Sequence, residues 1–263
     1  RLLSKNNIVA WCIVPFDAKH RGPEERAAML ERLGIKRVAY DWREEHVPQF
    51  DAELEAYKRH GISLHAFWMP VNTSSPLEER HWPLVLDLAK RHNVKPELWV
   101  MLSEALVNAL PAETRAARAA GILAPAARAA DERGCRIGLY NHGGWFGEPD
   151  NQIAIIEAMK RMGIKNVGIV YNFHHGHEHT ANFPALAKRM APHLITVNVN
   201  GMRAGGPKIG SFGQGDDNGG AERQMLKSLV TAGFSGPIGI LGHREERDVE
   251  ECLREGLGGI SRP

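Results

Sequence analysis

The sequence predicts an α/β fold, a (β/α)8 TIM barrel that forms a single domain over residues 1–263. Helical segments that end in Gly or Asn are followed at once by short apolar runs, and this joint recurs along the chain. Gly at such a joint is typical of a left-handed helix C-cap, and apolar runs without alternation are typical of parallel strands buried on both faces. The length of 263 residues agrees, since such barrels occupy about 250 residues.

Eight predicted strands follow one another in chain order. They lie in the segments IVAWCIV, LGIKRVAYD, HGISLHAFW, HNVKPELWV, RGCRIGLYN, MGIKNVGIVYN, PHLITVNVN and GPIGILGH. Between them, helix start signals occur at Pro23, Asp51, Ser75 and Pro149. An open doubly wound sheet is the alternative fold, but the segment PFDAKHRGPEE after the first strand lacks the GxGxxG fingerprint of nucleotide binding.

The Ala-rich segment 111–134 is longer than one barrel helix requires. Gly121 and Pro125 lie inside it, and both residue types interrupt helices. The sequence therefore predicts two helices here with a break between them.

Composition and charge narrow the class of partner. With 43% hydrophobic and 24% charged residues the chain is an ordinary globular protein, and no segment reaches the roughly 20 apolar residues of a membrane span. The net charge of +2 is spread along the chain, which argues against nucleic acid and membrane partners. Cys12, Cys135 and Cys252 form no CxxC pair, which argues against a disulfide framework. We therefore expect a soluble protein. The chain starts at Arg1 without Met, so the compartment is either the cytoplasm or, after removal of a leader, the periplasm. The oligomeric state is left open.

The candidate site lies just after the strands, because catalysis in these barrels takes place at the carboxyl ends of the strands. Aromatic walls with Asn, His and Arg between them are what a carbohydrate site requires. The candidate substrate-binding residues are Trp11, Lys19, Asp41, Arg43, Trp68, Tyr140, Trp145, Asn172, Asn198, Arg203 and His243. Trp68 and Trp145 are either stacking platforms or rim packing, and Asp41 with Arg43 is either part of the site or a structural ion pair.

Three segments carry a family resemblance: IGLYNHGGWFGEPDNQIAII, VGIVYNFHHGH and FGQGDDNGGAERQMLKSLVTAGFSGPIGI. With them, the sequence resembles the xylose-isomerase-like TIM barrels known as sugar phosphate isomerases/epimerases. The resemblance covers essentially the whole chain, is strongest over residues 135–242, and concerns the fold and superfamily rather than the reaction. It implies isomerisation or epimerisation of sugars by proton transfer next to a carbonyl, and a divalent metal held by Glu, Asp, His and Glu after strands five to eight.

This chain departs from that pattern at each metal ligand. The positions at which the resemblance implies Glu, Asp, His and Glu are occupied in this chain by Tyr140, Asn172, Asn198 and Leu241, respectively. Such a set lacks the anionic or imidazole ligands that hold a divalent ion, so the usual metal site is predicted to be absent. A relocated divalent metal on His142, His175, His243 and Glu44 is an open alternative, and no other cofactor is predicted.

Two histidines of the motif remain, and the resemblance implies that His142 and His175 contact substrate. His175 is predicted to point into the barrel mouth and His174 to turn away from it. His177 and His179 are predicted loop residues, which either cover the site or are simply solvated.

The leading hypothesis is a carbohydrate isomerase/epimerase-like enzyme, with a lyase reaction as a variant. Glu44, His142 and His175 are the candidate acid and base groups, with Glu44 first because Arg43 lies beside it. Asn172 and Asn198 would stabilise the enolate oxygen. One alternative is a non-catalytic sugar-binding protein on the same fold. Another is a glycoside hydrolase that uses two carboxylates such as Glu44 and Glu104.

The glycine-rich segment 200–217 follows the seventh strand, where barrels often bind phosphate. It carries Arg203 and Lys208, so the expected partner is a small carbohydrate or a phosphosugar. A mobile lid is the alternative for this segment.

Overall fold

The chain folds into a closed barrel of eight parallel strands, which confirms the predicted fold class. The computed structural model describes residues 2–205 and 208–261. Each strand pairs with the next, and β8 closes the barrel against β1. The strands are β1 (Ile8–Trp11), β2 (Arg37–Asp41), β3 (Ser63–Val71), β4 (Glu97–Leu102), β5 (Arg136–Tyr140), β6 (Val167–Asn172), β7 (Leu194–Val199) and β8 (Ile238–Leu241).

Helices follow the strands around the outside of the barrel. In the described residues the α-helices are α1 (Pro23–Leu33), α2 (Phe50–Arg59), α3 (His81–Arg91), α4 (Ala112–Asp131), α5 (Gly144–Gly147), α6 (Pro149–Arg161), α7 (Phe183–Met190), α8 (Asp216–Thr231) and α9 (Val249–Ser261). None of them combines the length and the apolar character that a bilayer crossing requires.

The predicted joints between helix and strand are confirmed by the backbone. The residues that end five helical segments have φ between 52° and 80°, which is left-handed. They are Gly34, Gly61, Asn93, Gly134 and Gly163. Because Gly and Asn adopt this conformation at least cost, these positions stop each helix and turn the chain into the next strand.

The predicted break in the Ala-rich segment is wrong, because α4 runs without interruption from Ala112 to Asp131. Pro125 has no N–H to donate to the carbonyl of residue 121, four positions earlier, and its ring crowds that carbonyl. Both Gly121 and Pro125 are exposed, so the carbonyl of Gly121 is on the solvent side. A solvated carbonyl on a flexible residue, within a run of strong helix formers, lets the helix pass the proline.

Two apolar layers result from the strands being buried on both faces. Val9, Ala39, Ala66, Trp99 and Val170 pack inside the barrel. The opposite faces of the strands pack against the helices in a larger cluster.

A buried carboxylate lies inside the barrel toward the amino ends of the strands. Glu97, the first residue of β4, accepts hydrogen bonds from Trp99 Nε1 at 2.8 Å and from Thr196 Oγ1 at 2.8 Å. Arg136 Nε donates to it at 3.1 Å, and His65 Nε2 lies 3.6 Å away. We call Glu97, Trp99, Thr196, Arg136 and His65 the lower network; its carboxylate is well supplied with donors.

The pairing of β1 with β2 is the shortest in the barrel. One registered pair, Ala10 with Val38, joins these strands. By contrast, six registered pairs join β3 and β4. The two strands therefore separate before they reach the carboxyl end of the barrel.

Candidate active site

A cavity of about 70 Å³ opens at the carboxyl ends of the strands. This is where the sequence places the site. The residues that line it are Trp11, Cys12, Phe16, Asp41, Arg43, Trp68, Tyr140, His142, Asn172, His174, His175 and His243. Nine of these twelve are sequence-predicted site residues.

Asp41 is the only carboxylate among the described residues that line the cavity. It is the last residue of β2, and 3% of its surface is exposed. Arg43 Nη2 lies 3.4 Å from Oδ2, whereas Oδ1 has no hydrogen-bond partner in the described part of the chain. Burial raises the pKa of Asp41 to about 6, although the Arg43 guanidinium opposes part of that rise. Asp41 is thus a carboxyl group that can gain or lose a proton near neutral pH.

Four histidine rings meet at the mouth of this cavity. The ring centroids of His142 and His175 are 4.4 Å apart, as are those of His174 and His175. His243 lies 5.8 Å from His174 and 3.7 Å from Phe16. Burial and the neighbouring rings lower the pKa of His175 to about 2 and that of His243 to about 4. These rings are therefore neutral near pH 7, each with one N–H donor and one acceptor nitrogen.

The predicted orientation of His174 is wrong, because its ring lines the cavity beside His175. The alternation of strand side chains stops at Asn172. Phe173–His175 is a 3₁₀ helix, and the backbone N–H of His174 donates to Asn172 Oδ1 at 3.0 Å. Consequently Phe173 packs into the apolar core while both histidines face the cavity.

Tyr140 and Asn172 form the floor of the cavity and are held in place by hydrogen bonds. Trp11 Nε1 donates to the Tyr140 hydroxyl at 2.9 Å, and the Asn172 amide donates to the same oxygen. Asn141 Oδ1 accepts from the Asn172 backbone N–H at 2.6 Å, which ties the ends of β5 and β6 together. This group of side chains is rigid and uncharged.

Asn198 and Leu241, also predicted at the strand ends, lie outside the set that lines the cavity. Asn198 is fully buried, and both polar atoms of its side chain lack a partner among the described residues. It faces Gly239 of β8, where an added Cβ would lie 1.8 Å from Asn198 Oδ1. Leu241 packs against the apolar cluster inside the barrel. Of the predicted enolate-binding amides, the structure places only Asn172 at the cavity.

Glu44, predicted as the general base, is not at the cavity. Its side chain is 57% exposed and pairs with Arg80. The physical reason is that β2 ends at Asp41 and the chain turns into the 3₁₀ helix Glu44–Gln49, so Glu44 lies on the rim. The carboxylate of Glu104 accepts a hydrogen bond from the backbone N–H of Phe146 at 2.8 Å and does not line the cavity either. Neither of the carboxylates proposed for a glycoside hydrolase therefore lines the cavity.

Three predicted binding residues have other surroundings. Lys19 forms an ion pair with Asp248 at 2.7 Å, and Trp145 packs against the apolar core. Arg203 is exposed and donates to the backbone carbonyl of Gln214 at 2.6 Å.

Two residues of the cavity were missed from the sequence. Cys12 is not among the sequence-predicted site residues, but its left-handed φ of 55° at the end of β1 places it among the lining residues. Burial, with a contribution from Asp41, raises the pKa of its thiol, which stays protonated. Phe16 stacks on His243, and its place in the loop after β1 was the only available signal.

Two further histidines that follow β6, His177 and His179, anchor loops. His177 Nδ1 lies 3.2 Å from the Arg203 carbonyl and Nε2 lies 2.9 Å from the Lys208 carbonyl, which joins the β6 and β7 loops. His179 lies between the Tyr171 hydroxyl at 2.8 Å and Glu148 at 3.2 Å. Neither ring is simply solvated. Residues 206–207 of the glycine-rich segment are outside the described residues.

The residues at the family's metal positions do not fit a divalent ion. Tyr140 and Asn172 direct their polar atoms at each other and at Trp11 and His174, and Leu241 has no donor atom. None of the four positions carries a charge, whereas divalent ions in proteins are held by carboxylate, imidazole or thiolate ligands. Over residues 2–205 and 208–261, no three His, Cys, Asp or Glu side chains are arranged to share a metal.

Solved structures of other proteins have the same fold as this chain. The chain matches a crystal structure of the IolI protein with a bound zinc atom, at a TM-score of 0.73 and 15% identity over 96% of each chain. It also matches a xylose isomerase domain containing protein from Salmonella typhimurium, at a TM-score of 0.69 and 12% identity over 98% of each chain. The fold is that of the xylose isomerase-like TIM barrels.

Another member of this fold group is D-allulose 3-epimerase from Methylomonas sp. It matches at a TM-score of 0.72 and 12% identity, over 97% of this chain and 96% of the epimerase. No protein-family model matches the sequence, nor does the sequence of any curated protein. The xylose isomerase-like barrel seen here thus shares its backbone with sugar epimerases while its own side chains form the site.

Proposed function

We propose that the protein is a carbohydrate isomerase in which Asp41 moves a proton between adjacent carbons of a sugar, next to its carbonyl. The observation that carries the proposal is the surroundings of Asp41. Its carboxyl group is buried, lines the cavity, and keeps one oxygen free of protein donors. A carboxylate with a pKa near 6 is a stronger base than an ordinary aspartate and is still ionised at pH 7.

Neutral donors face the same cavity and suit the oxygen of an enediolate intermediate. His175 is too weak a base to take a carbon-bound proton, because its pKa is about 2. Its neutral ring, however, can donate a hydrogen bond to the developing oxyanion, as can Trp68, whose indole N–H has no partner among the described residues. His142, at 4.4 Å from His175, is the most exposed ring of the group and completes this side of the cavity.

The proposed reaction follows from having one carboxylate. Asp41 removes the proton from the carbon next to the carbonyl, and the electron pair forms an enediolate. The protonated Asp41, which exchanges its proton with solvent while the enediolate is bound, then delivers a proton or deuteron to the former carbonyl carbon from the same side. A neutral imidazole, with one donor and one acceptor nitrogen, moves a proton between the two substrate oxygens. Epimerisation by two bases on opposite faces would require a second group of suitable pKa, and the lining residues offer no second carboxylate.

The similar folds support a sugar as the substrate. D-allulose 3-epimerase shares this backbone, and carbohydrate binding at the carboxyl ends of the strands agrees with the aromatic walls of the cavity. Trp11, Phe16 and Trp68 provide apolar surface for sugar C–H groups.

The test is proton exchange in deuterated buffer, followed by NMR on a panel of aldoses and ketoses. The wild type is expected to place deuterium on the carbon next to the carbonyl of at least one sugar. Asp41→Asn should lower that rate by about 100-fold or more, because a general base contributes at least this factor. Glu44→Gln, which changes a carboxylate on the rim, should stay within about twofold of the wild type, since no mechanism of loss applies.

Several outcomes would overturn the proposal. Binding of sugars without any exchange would favour the non-catalytic binding protein. Loss of exchange in Glu44→Gln with retention in Asp41→Asn would restore the base predicted from the sequence. Exchange that disappears with a chelator and returns with added Zn²⁺ would indicate a metal relocated to the histidines.

A further inference from the structure

A second depression adjoins the cavity and is much larger. It measures about 580 Å³ and lies between the loops that follow β7 and β8. Its polar lining consists of Arg203, Gln214, His243, Arg244, Glu245 and Glu246. We call it the groove; His243 lines both the groove and the cavity, so the two adjoin at this ring.

The cavity and the groove differ so much in volume that they cannot bind the same part of a ligand. Sites for small molecules usually measure about 300–1,000 Å³, a range that includes the groove and excludes the cavity of about 70 Å³. The cavity has about one eighth of the volume of the groove. It can therefore receive the reacting carbons and their oxygens, whereas the remainder of the substrate must lie outside it.

The chemistry of the groove fits hydroxyl groups better than a phosphate. Arg203 and Arg244 supply donors, while Glu245 and Glu246 supply acceptors, and neither carboxylate forms an ion pair within the described residues. A sugar hydroxyl both donates and accepts, so it can use both kinds of group. A phosphate only accepts and would meet two unpaired negative charges.

The arginines of the groove are already oriented. Arg203 Nη2 donates to the Gln214 carbonyl at 2.6 Å, and Arg244 Nη2 donates to Ser211 Oγ at 3.0 Å. Arg244 Nη1 lies 3.5 Å from Glu255. Less side-chain entropy is lost when such residues bind a ligand than when free arginines do.

We infer that the substrate is a reducing disaccharide, whose reducing unit, with a carbonyl in its open-chain form, enters the cavity beside His243 while its second sugar unit binds in the groove. This rests on the proposed function for the reacting end only. The second unit would be held by Arg203 and Gln214 on one side and by Glu245 and Glu246 on the other. The prediction of a phosphosugar, made from Arg203 and Lys208, is replaced here by a neutral second ring.

The test compares matched ligands by titration calorimetry on the whole protein. The ligands are glucose and fructose, the disaccharides maltose, cellobiose, maltulose and lactulose, and glucose 6-phosphate. At least one disaccharide should bind about tenfold more tightly than its parent monosaccharide, as one or two charged hydrogen bonds would provide.

Variants locate the effect. Arg203→Ala and Glu246→Gln should each remove most of that advantage of the disaccharide over its parent monosaccharide. Arg189→Ala is the matched control, since this exposed arginine pairs with Asp150 on the outer helices. It should leave both affinities as they are. Because Glu246 makes no ion pair with any residue that the structure describes, its substitution tests the groove even if Arg203→Ala disturbs the loop.

The outcomes separate this inference from the proposed function. If monosaccharides exchange deuterium but no disaccharide in the panel binds more tightly, the groove inference is wrong and the isomerase proposal stands. If a disaccharide binds more tightly through Arg203 and no sugar exchanges, the groove stands and the isomerase proposal fails. Tighter binding of glucose 6-phosphate that depends on Arg203 would overturn the groove inference in favour of an anionic group.

Discussion

Two buried carboxylates on the described strands, Glu97 and Asp41, have opposite surroundings. Glu97, in the lower network, is held by Trp99, Thr196 and Arg136, all within hydrogen-bond distance. Asp41, at the mouth, has Arg43 at 3.4 Å and one oxygen without any partner in the described residues. A carboxylate that is supplied with donors stabilises the fold, whereas one that lacks them costs stability and is available for chemistry.

The largest expected effect is on the free energy of unfolding. It should change in opposite directions when each of the two carboxylates is replaced by its amide. Asp41→Asn should stabilise the protein at pH 8 by up to about 3 kcal/mol, because the pKa of Asp41 is raised by about two units. Glu97→Gln should destabilise it by about 2 kcal/mol, because donors of the lower network then face an amide group. Urea denaturation of both variants and the wild type measures this.

The pH dependence of that difference follows from the raised pKa. The folded protein binds the Asp41 proton up to about pH 6, whereas the unfolded chain releases it near 3.8, so the cost of the charge is fully present above pH 6 and absent below 3.8. The advantage of Asp41→Asn should therefore shrink as the pH falls from 7 to 4. If both amide variants destabilise equally at every pH, the contrast between the two carboxylates does not exist.

The second prediction concerns the rate. If Asp41 is the base, kcat/KM should fall about tenfold per pH unit below about pH 6, since only the ionised form accepts a proton. His175 and His243 should add no step between pH 5 and 8, because their pKa values are about 2 and 4. A profile of the exchange rate from pH 4.5 to 8 checks this, and a flat profile would remove Asp41 from the role of base.

The smallest expected effect is a difference in stability between variants of two amides that are neighbours on β6 and β7. Asn172 and Asn198 are registered partners, but within the described residues only the Asn172 side chain has hydrogen bonds. Asn172→Leu should cost about 1–2 kcal/mol, whereas Asn198→Leu should be neutral or slightly stabilising, because it removes a buried polar group without partners. Thermal melting of the two variants gives the comparison. An equal loss for both would show that ordered water completes the hydrogen bonds of Asn198.

Local signals explain why the barrel could be predicted from the sequence. Five helix ends carry a Gly or Asn in the left-handed conformation, and the strands are apolar enough to be buried on both faces, so neither prediction required knowledge of distant contacts. The exception was α4. There the effects of Gly121 and Pro125, each a helix breaker alone, cancel because they are four residues apart on the exposed face.

The site could be predicted only in part, because side-chain direction depends on where each strand stops. Tyr140, Asn172 and Asp41 are the last residues of their strands and line the cavity as expected. Beyond a strand end the alternation no longer holds. His174 faces inward because it is in a 3₁₀ turn, and Glu44 faces outward for the same kind of reason.

The short pairing of β1 with β2 bears on how strong a base Asp41 can be. One registered pair joins these strands, and Cys12 and Asp41 lie two and three residues beyond it, toward the cavity. Backbone amides at such a seam are expected to exchange with solvent sooner than those elsewhere in the barrel. Each opening would hydrate the carboxylate and bring its pKa back toward that of an ordinary aspartate. The pKa of Asp41 is then limited by how often the pairing of β1 with β2 opens. A variant that strengthens this pairing would make the aspartate more basic without changing any residue that contacts it.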